Sequence, residues 1–93
     1  MARLQWLDRD GKMIALEALP ILVGKDAACL IRPTWRVCAP RHARFYCVEG
    51  AYFVEAVSPE HAVLVNGTAV STHALVHRDT IRCGGLEITY WQD

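Results

Sequence analysis

Short apolar runs broken by turn dipeptides constrain this chain more than any other feature. Val63-Leu64-Val65 leads into Asn66-Gly67, and Thr68-Ala69-Val70 follows as a partner strand. Asn-Gly is a strong hairpin signal, because a tight type I′ turn needs positive φ at both central residues. The same grammar recurs in Arg44 to Val48, Glu49-Gly50 and Ala51 to Val57, and again in Thr80 to Cys83, Gly84-Gly85 and Leu86 to Trp91. At the start, Leu4 and Trp6 alternate with Arg3 and Gln5 before Arg9-Asp10-Gly11 and a second apolar stretch, Met13 to Leu19. Ile21 to Val23 follows Pro20 and stops at Gly24. Helical spacing is weak throughout. The expectation is an all-β chain, an antiparallel β-sandwich of about ten short strands with no helix longer than about two turns. Strand alternation places Ile31, Phe45, Tyr46 or Cys47, Val54, Val65, Ile81, Ile88 and Tyr90 among the core candidates.

With 93 residues the chain has room for one hydrophobic core, so residues 1–93 are read as a single domain. A content of 53% hydrophobic against 22% charged residues is far from the balance that prevents collapse. No apolar run approaches a membrane span, and Arg3, Gln5, Asp8 and Arg9 interrupt the N-terminal stretch, so neither a signal peptide nor a membrane partner is expected. Cys29, Cys38, Cys47 and Cys83 form no Cys-x-x-Cys pair, and their spacings of nine, nine and thirty-six residues suit neither structural zinc nor a secreted disulfide framework. Reduced thiols in a cytoplasmic protein without metal or cofactor are expected, with Cys47 and Cys83 read as small core residues.

Ten basic and ten acidic side chains cancel, which gives no nucleic-acid signal for the chain as a whole. The distribution is uneven, however. Between Gly24 and Phe45, Lys25, Arg32, Arg36, Arg41 and Arg44 stand against Asp26 alone. That stretch is also the least strand-like, with Pro33 and Pro40 and little alternation. An irregular loop on a rigid scaffold leaves N–H groups and cations free to meet an anion, although a basic solvated loop has the same composition.

Read from Gly24, the run GKDAACLIRPTWRVCAPRHARF resembles the first motif block of the forkhead-associated (FHA) family, which opens with Gly-Arg and closes with Ser-Arg-x-His-Ala before a strand. Gly24-Lys25 falls on the Gly-Arg pair, Ile31 on the buried Ile between the motifs, and Ala39-Pro40-Arg41-His42-Ala43 on Ser-Arg-x-His-Ala. Val65-Asn66-Gly67 looks like the family's second Asn-Gly turn, and Leu75 to Ile81 looks like its Leu-x-x-Gly-Asp-x-Ile segment, with Arg78 in place of the glycine. The resemblance covers residues 20 to 91. It implies two packed β-sheets that recognise phosphothreonine peptides with loops at one end.

Several of the positions that would meet a phosphate depart from the pattern. Lys25 keeps charge where the family has Arg but loses the planar bidentate fork. Ala39 lacks the hydroxyl of the family's Ser, and Pro40 lacks both the guanidinium and the backbone N–H of its Arg. His61 stands where the resemblance implies an Asn that holds the peptide backbone. The candidate ligand-binding residues are therefore Lys25, Arg36, Arg41 and His61, with Gly24, His42, Asn66 and Gly67 as structural residues of the loops. Arg44 is a lesser candidate. Trp35 is either an interface anchor or a plug of the loop against the core.

Catalysis is not expected. Ser58 and Ser71 are the only serines and neither lies in a Gly-x-Ser-x-Gly turn, while Cys38 with His42 lacks any sign of an activated thiol. The expected function is a protein-interaction module with weakened or lost phosphothreonine dependence. Phosphothreonine-peptide binding through Lys25 and Arg41 is one alternative, and a structural or oligomerising domain of a larger protein is another. The partner is a protein or phosphopeptide, and oligomeric state is not readable.

Overall fold

The computed structural model describes residues 2–6, 13–15, 20–24, 29, 31, 41–58, 60–84 and 86–92. Among these residues ten strands follow in order: β1 (Ala2–Trp6), β2 (Met13–Ala15), β3 (Ile21–Val23), β4 (Ala43–Val48), β5 (Ala51–Ala56), β6 (Val63–Val65), β7 (Thr68–Val70), β8 (Thr72–Ala74), β9 (Thr80–Cys83) and β10 (Leu86–Gln92). They form a six-stranded sheet, ordered β2-β1-β10-β9-β6-β7, and a four-stranded sheet, ordered β3-β4-β5-β8, with every strand pairing antiparallel. Among the described residues there is no helix, and so none that could cross a membrane.

Alternation drives the packing. On β1 the buried residues are Ala2, Leu4 and Trp6; on β10 they are Leu86, Ile88 and Tyr90. These meet Ile21, Val23, Ala43, Phe45 and Val54 of the other sheet in one cluster, completed by Val63, Val65, Ile81 and Cys83. Ile31 joins it through an isolated parallel bridge to Val23. Fully burying side chains of this size contributes roughly 1.5–3 kcal/mol each before entropy is counted. Ile31, Phe45, Val54, Val65, Ile81, Ile88 and Tyr90 are all in this core, as alternation predicts. Tyr46 and Cys47 are not. Phe45 takes the inward position, so Tyr46 points outward and is half-buried. Cys47 is exposed near the end of β4, which corrects its reading as a core residue, whereas Cys83 is buried.

The turns follow their chemistry. Asn66 and Gly67 adopt φ of 52° and 85°, and Glu49 and Gly50 adopt 49° and 81°, the doubly left-handed geometry of tight hairpins. Arg78 has φ 74°, so the place where a glycine was expected does demand a left-handed backbone. Strand β8 was not anticipated: Thr72-His73-Ala74 carries little apolar patterning and is held by pairing to β5.

Candidate functional site

One end of the sandwich gathers three loops around His42. Gly24, at the end of β3, is buried and its N–H donates to the Ile31 carbonyl at 3.0 Å. His42 lies just before β4 and is 1% exposed. Its backbone N–H donates to the Val23 carbonyl at 2.8 Å, and its carbonyl accepts from Val57 N–H at 3.1 Å. Its ring Nε2 reaches the Ala62 carbonyl at 2.9 Å, and since a carbonyl only accepts, that nitrogen carries a proton. His42 thus ties β3 and the segment after β5, both of the four-stranded sheet, to the segment leading into β6 of the six-stranded sheet.

His61 stands against that latch. Its ring lies edge-on to the His42 ring at 5.5 Å, and its Nδ1 is 3.1 Å from Ser58 Oγ in a turn closed by His61 N–H to the Ser58 carbonyl at 3.2 Å. His61 is half-buried, so one part of the ring packs and the other faces out. Arg41 precedes the latch and is exposed. The structure therefore brings Gly24, Arg41, His42 and His61 to the same end. Lys25, Trp35, Arg36, Ala39 and Pro40 lie outside the described residues.

Asn66 and Gly67 are elsewhere, at the opposite end of β6 from Ala62. Asn66 is a clamp: its amide donates to Asp79 Oδ1 at 2.9 Å, and its own carbonyl oxygen accepts from Thr80 N–H at 3.0 Å. Asp79 Oδ2 accepts from Val76 N–H at 2.8 Å, and His73 Nε2 lies 3.1 Å from the same oxygen. Burial pushes the Asp79 carboxyl up, but these bonds from Val76, Asn66 and His73 outweigh it and hold it below the usual value. Arg44 is not part of the loop end; it sits within β4, outward, 3.4 Å from Glu55.

A shallow cavity of about 210 Å³ opens beside His61, lined by Glu60, Ala62, Arg82 and Gly84 among others. It has room for a side chain or small anion rather than a cofactor. Sequence reasoning missed Glu60 and Arg82. Arg82 is an outward residue of β9, and only sheet pairing of β9 with β6 carries it to this rim.

The profile of the FHA domain matches residues 21–84, most of the chain and all of the loop end. The chain belongs to the FHA family. FHA domains are protein-interaction modules rather than enzymes. Solved FHA domains share the fold. That of FhaA, complexed with the intracellular domain of Rv3910, superposes with a TM-score of 0.86 at 21% identity, over 97% of this chain and 99% of that one. An FHA domain studied for phosphothreonine-dependent interactions gives 0.87 at 22% identity, over 99% and 96%. That of CT664 from Chlamydia trachomatis gives 0.87 at 16% identity, over 99% and 97%. No curated protein gives a significant match to the chain.

Proposed function

We propose that this FHA domain binds a protein partner through the loop end around His42, with only a weak preference for phosphothreonine. The observation that carries the reading is the contrast between latch and ligands. His42 keeps its bonds to Val23, Val57 and Ala62, which supports a preserved recognition scaffold. The two positions just before Arg41 are Ala39 and Pro40, which offer phosphate neither hydroxyl, guanidinium nor, at Pro40, an N–H. A phosphate carries close to two negative charges and three acceptor oxygens, and each charge-assisted bond to it is worth roughly 1.5–3 kcal/mol. Loss of two ligands leaves Lys25, Arg36 and Arg41 to supply the charge, with His61 at the rim.

Titration of matched phosphorylated and unphosphorylated threonine peptides at two salt concentrations tests this. The phosphate should add less than about 2 kcal/mol, roughly thirtyfold in affinity. Restoring Ala39→Ser with Pro40→Arg should enlarge that preference and its salt sensitivity. Micromolar binding that vanishes on dephosphorylation, and survives Lys25→Ala with Arg41→Ala, would place the site elsewhere. A strong, salt-sensitive phosphate preference lost with those two side chains would instead support full phosphothreonine recognition, which Arg41's exposure beside His42 favours.

A further inference from the structure

The outer face of the four-stranded sheet carries more apolar and aromatic surface than a solvated sheet face needs. Tyr46 on β4 and Phe53 on β5 are cross-strand partners whose rings stack at 5.4 Å and 16°. One row along the strands, Arg44 and Glu55 are also partners, 3.4 Å apart, with the Arg44 guanidinium 4.6 Å above the Tyr46 ring. In the other direction lie Val48, 52% exposed, and Ala51 opposite it. Past β8 the alternation continues, with Leu75 buried and Val76 62% exposed. None of these side chains belongs to the loop end around His42.

The rows have a symmetry property. Each one sets unlike or compatible partners across the seam between β4 and β5: cation against anion, ring against ring, Val against Ala. A two-fold axis parallel to the strands, above that seam, exchanges β4 for β5 while keeping each row at its own height. Arg44 then faces Glu55 of a second copy, and Tyr46 faces Phe53 of a second copy. An axis across the strands would instead set Arg44 against Val48, which leaves the charge unmatched. The face is neutral and complementary to itself, so a partner of one charge sign gains nothing from it. We propose that this face docks a second copy of the chain, sheet against sheet, with Arg44 and Glu55 fixing the register.

Four strands about 4.8 Å apart, β4 and β5 of six residues and β3 and β8 of three, cover about 300 Å² per copy. That is well under the roughly 800 Å² per partner of stable complexes, so the dimer is a weak and transient one. Aligned packing of two sheets at about 30° is the geometry such faces adopt.

Sedimentation equilibrium of the 93-residue chain, from roughly 10 µM to 1 mM to cover the weak range, reads the association directly. The apparent mass should rise above 10.4 kDa with concentration. Arg44→Glu and Glu55→Arg should each weaken association by about tenfold or more, since like charges then oppose across the axis. An equimolar mixture of the two variants should associate at least as well as the natural chain, because every facing pair is again opposite. The exposed pair Arg82–Glu87, on the other sheet, provides the control: an Arg82→Glu and Glu87→Arg mixture should gain nothing. Circular dichroism checks that each variant is folded. A natural chain that stays monomeric to 1 mM, association indifferent to either reversal, or mixtures that fail to restore it would overturn the proposal.

Discussion

At Asp79 a carboxylate taken out of water holds three groups in place, the amide of Asn66, the ring of His73 and the Val76 N–H, while the residue's backbone carbonyl accepts from Tyr90 N–H at 2.9 Å. Its folded-state pKa lies below the usual value, so the charged form favours the fold. That contribution is complete above about pH 4, the range where the unfolded carboxylate titrates. It is lost as pH falls through the lower folded-state value. Asp79→Asn keeps the shape but presents an amide to donors that need acceptors, and should cost about 2–3 kcal/mol at neutral pH. Urea midpoints between pH 2 and 7 check both parts: the variant should be less stable at pH 7 and should lose part of the decline toward acid. An acid decline as steep as that of the natural chain would mean other carboxylates carry it. Little of this was legible beforehand. The Leu75 to Ile81 motif marks Asp79, but its partners lie six and thirteen residues away, and only pairing between strands brings them in.

Among the elements, the hairpins show how sequence and backbone agree and where they disagree. The β6–β7 turn uses Asn66-Gly67, residue types that tolerate positive φ, and was readable from the dipeptide alone. The β4–β5 turn adopts the same geometry with Glu49 at φ 49°, where an unbranched side chain bears a left-handed backbone without the local hydrogen bonding open to Asn. Glu49→Asn should therefore stabilise the domain by about 0.5–1 kcal/mol, seen as a higher urea midpoint with unchanged slope. A lower midpoint would show that the Glu49 side chain contributes something the turn geometry does not reveal. Strand β8 escaped the sequence for the complementary reason. Its three residues are polar or small, and it exists because β5 offers it an edge. The slip between Phe45, Tyr46 and Cys47 has a similar origin: a run of apolar residues leaves the inward parity open, and the Phe45 to Val54 pairing fixes it.

For the whole molecule, fold class, strand number and most of the core were legible because period-two patterning and turn residues are local signals. The site was half legible. The order of motifs picks out Gly24, Arg41, His42 and His61, which the fold does assemble, but nothing local announces that Arg82 borders the same rim. The core itself is shared by the two sheets, so Ile88→Ala, at a fully buried position of β10, should cost about 2–5 kcal/mol by thermal or chemical unfolding. A change under 1 kcal/mol would mean the sheets are less tightly joined there than their burial implies. Strand β10 also sets when the molecule can form. It lies between β1 and β9, with Ala2 opposite Gln92, so the centre of the larger sheet is built from the first and last strands among the described residues. During synthesis β1 must wait, unpaired on that side, until β10 leaves the ribosome. Closing nearly the whole chain into one contact is entropically slow, which places folding in the millisecond-to-second regime of β-sandwiches rather than the microseconds of helical bundles. The nascent chain therefore exposes the β1 edge while β3 to β9 are being made, and that edge is where mispairing between neighbouring chains would begin.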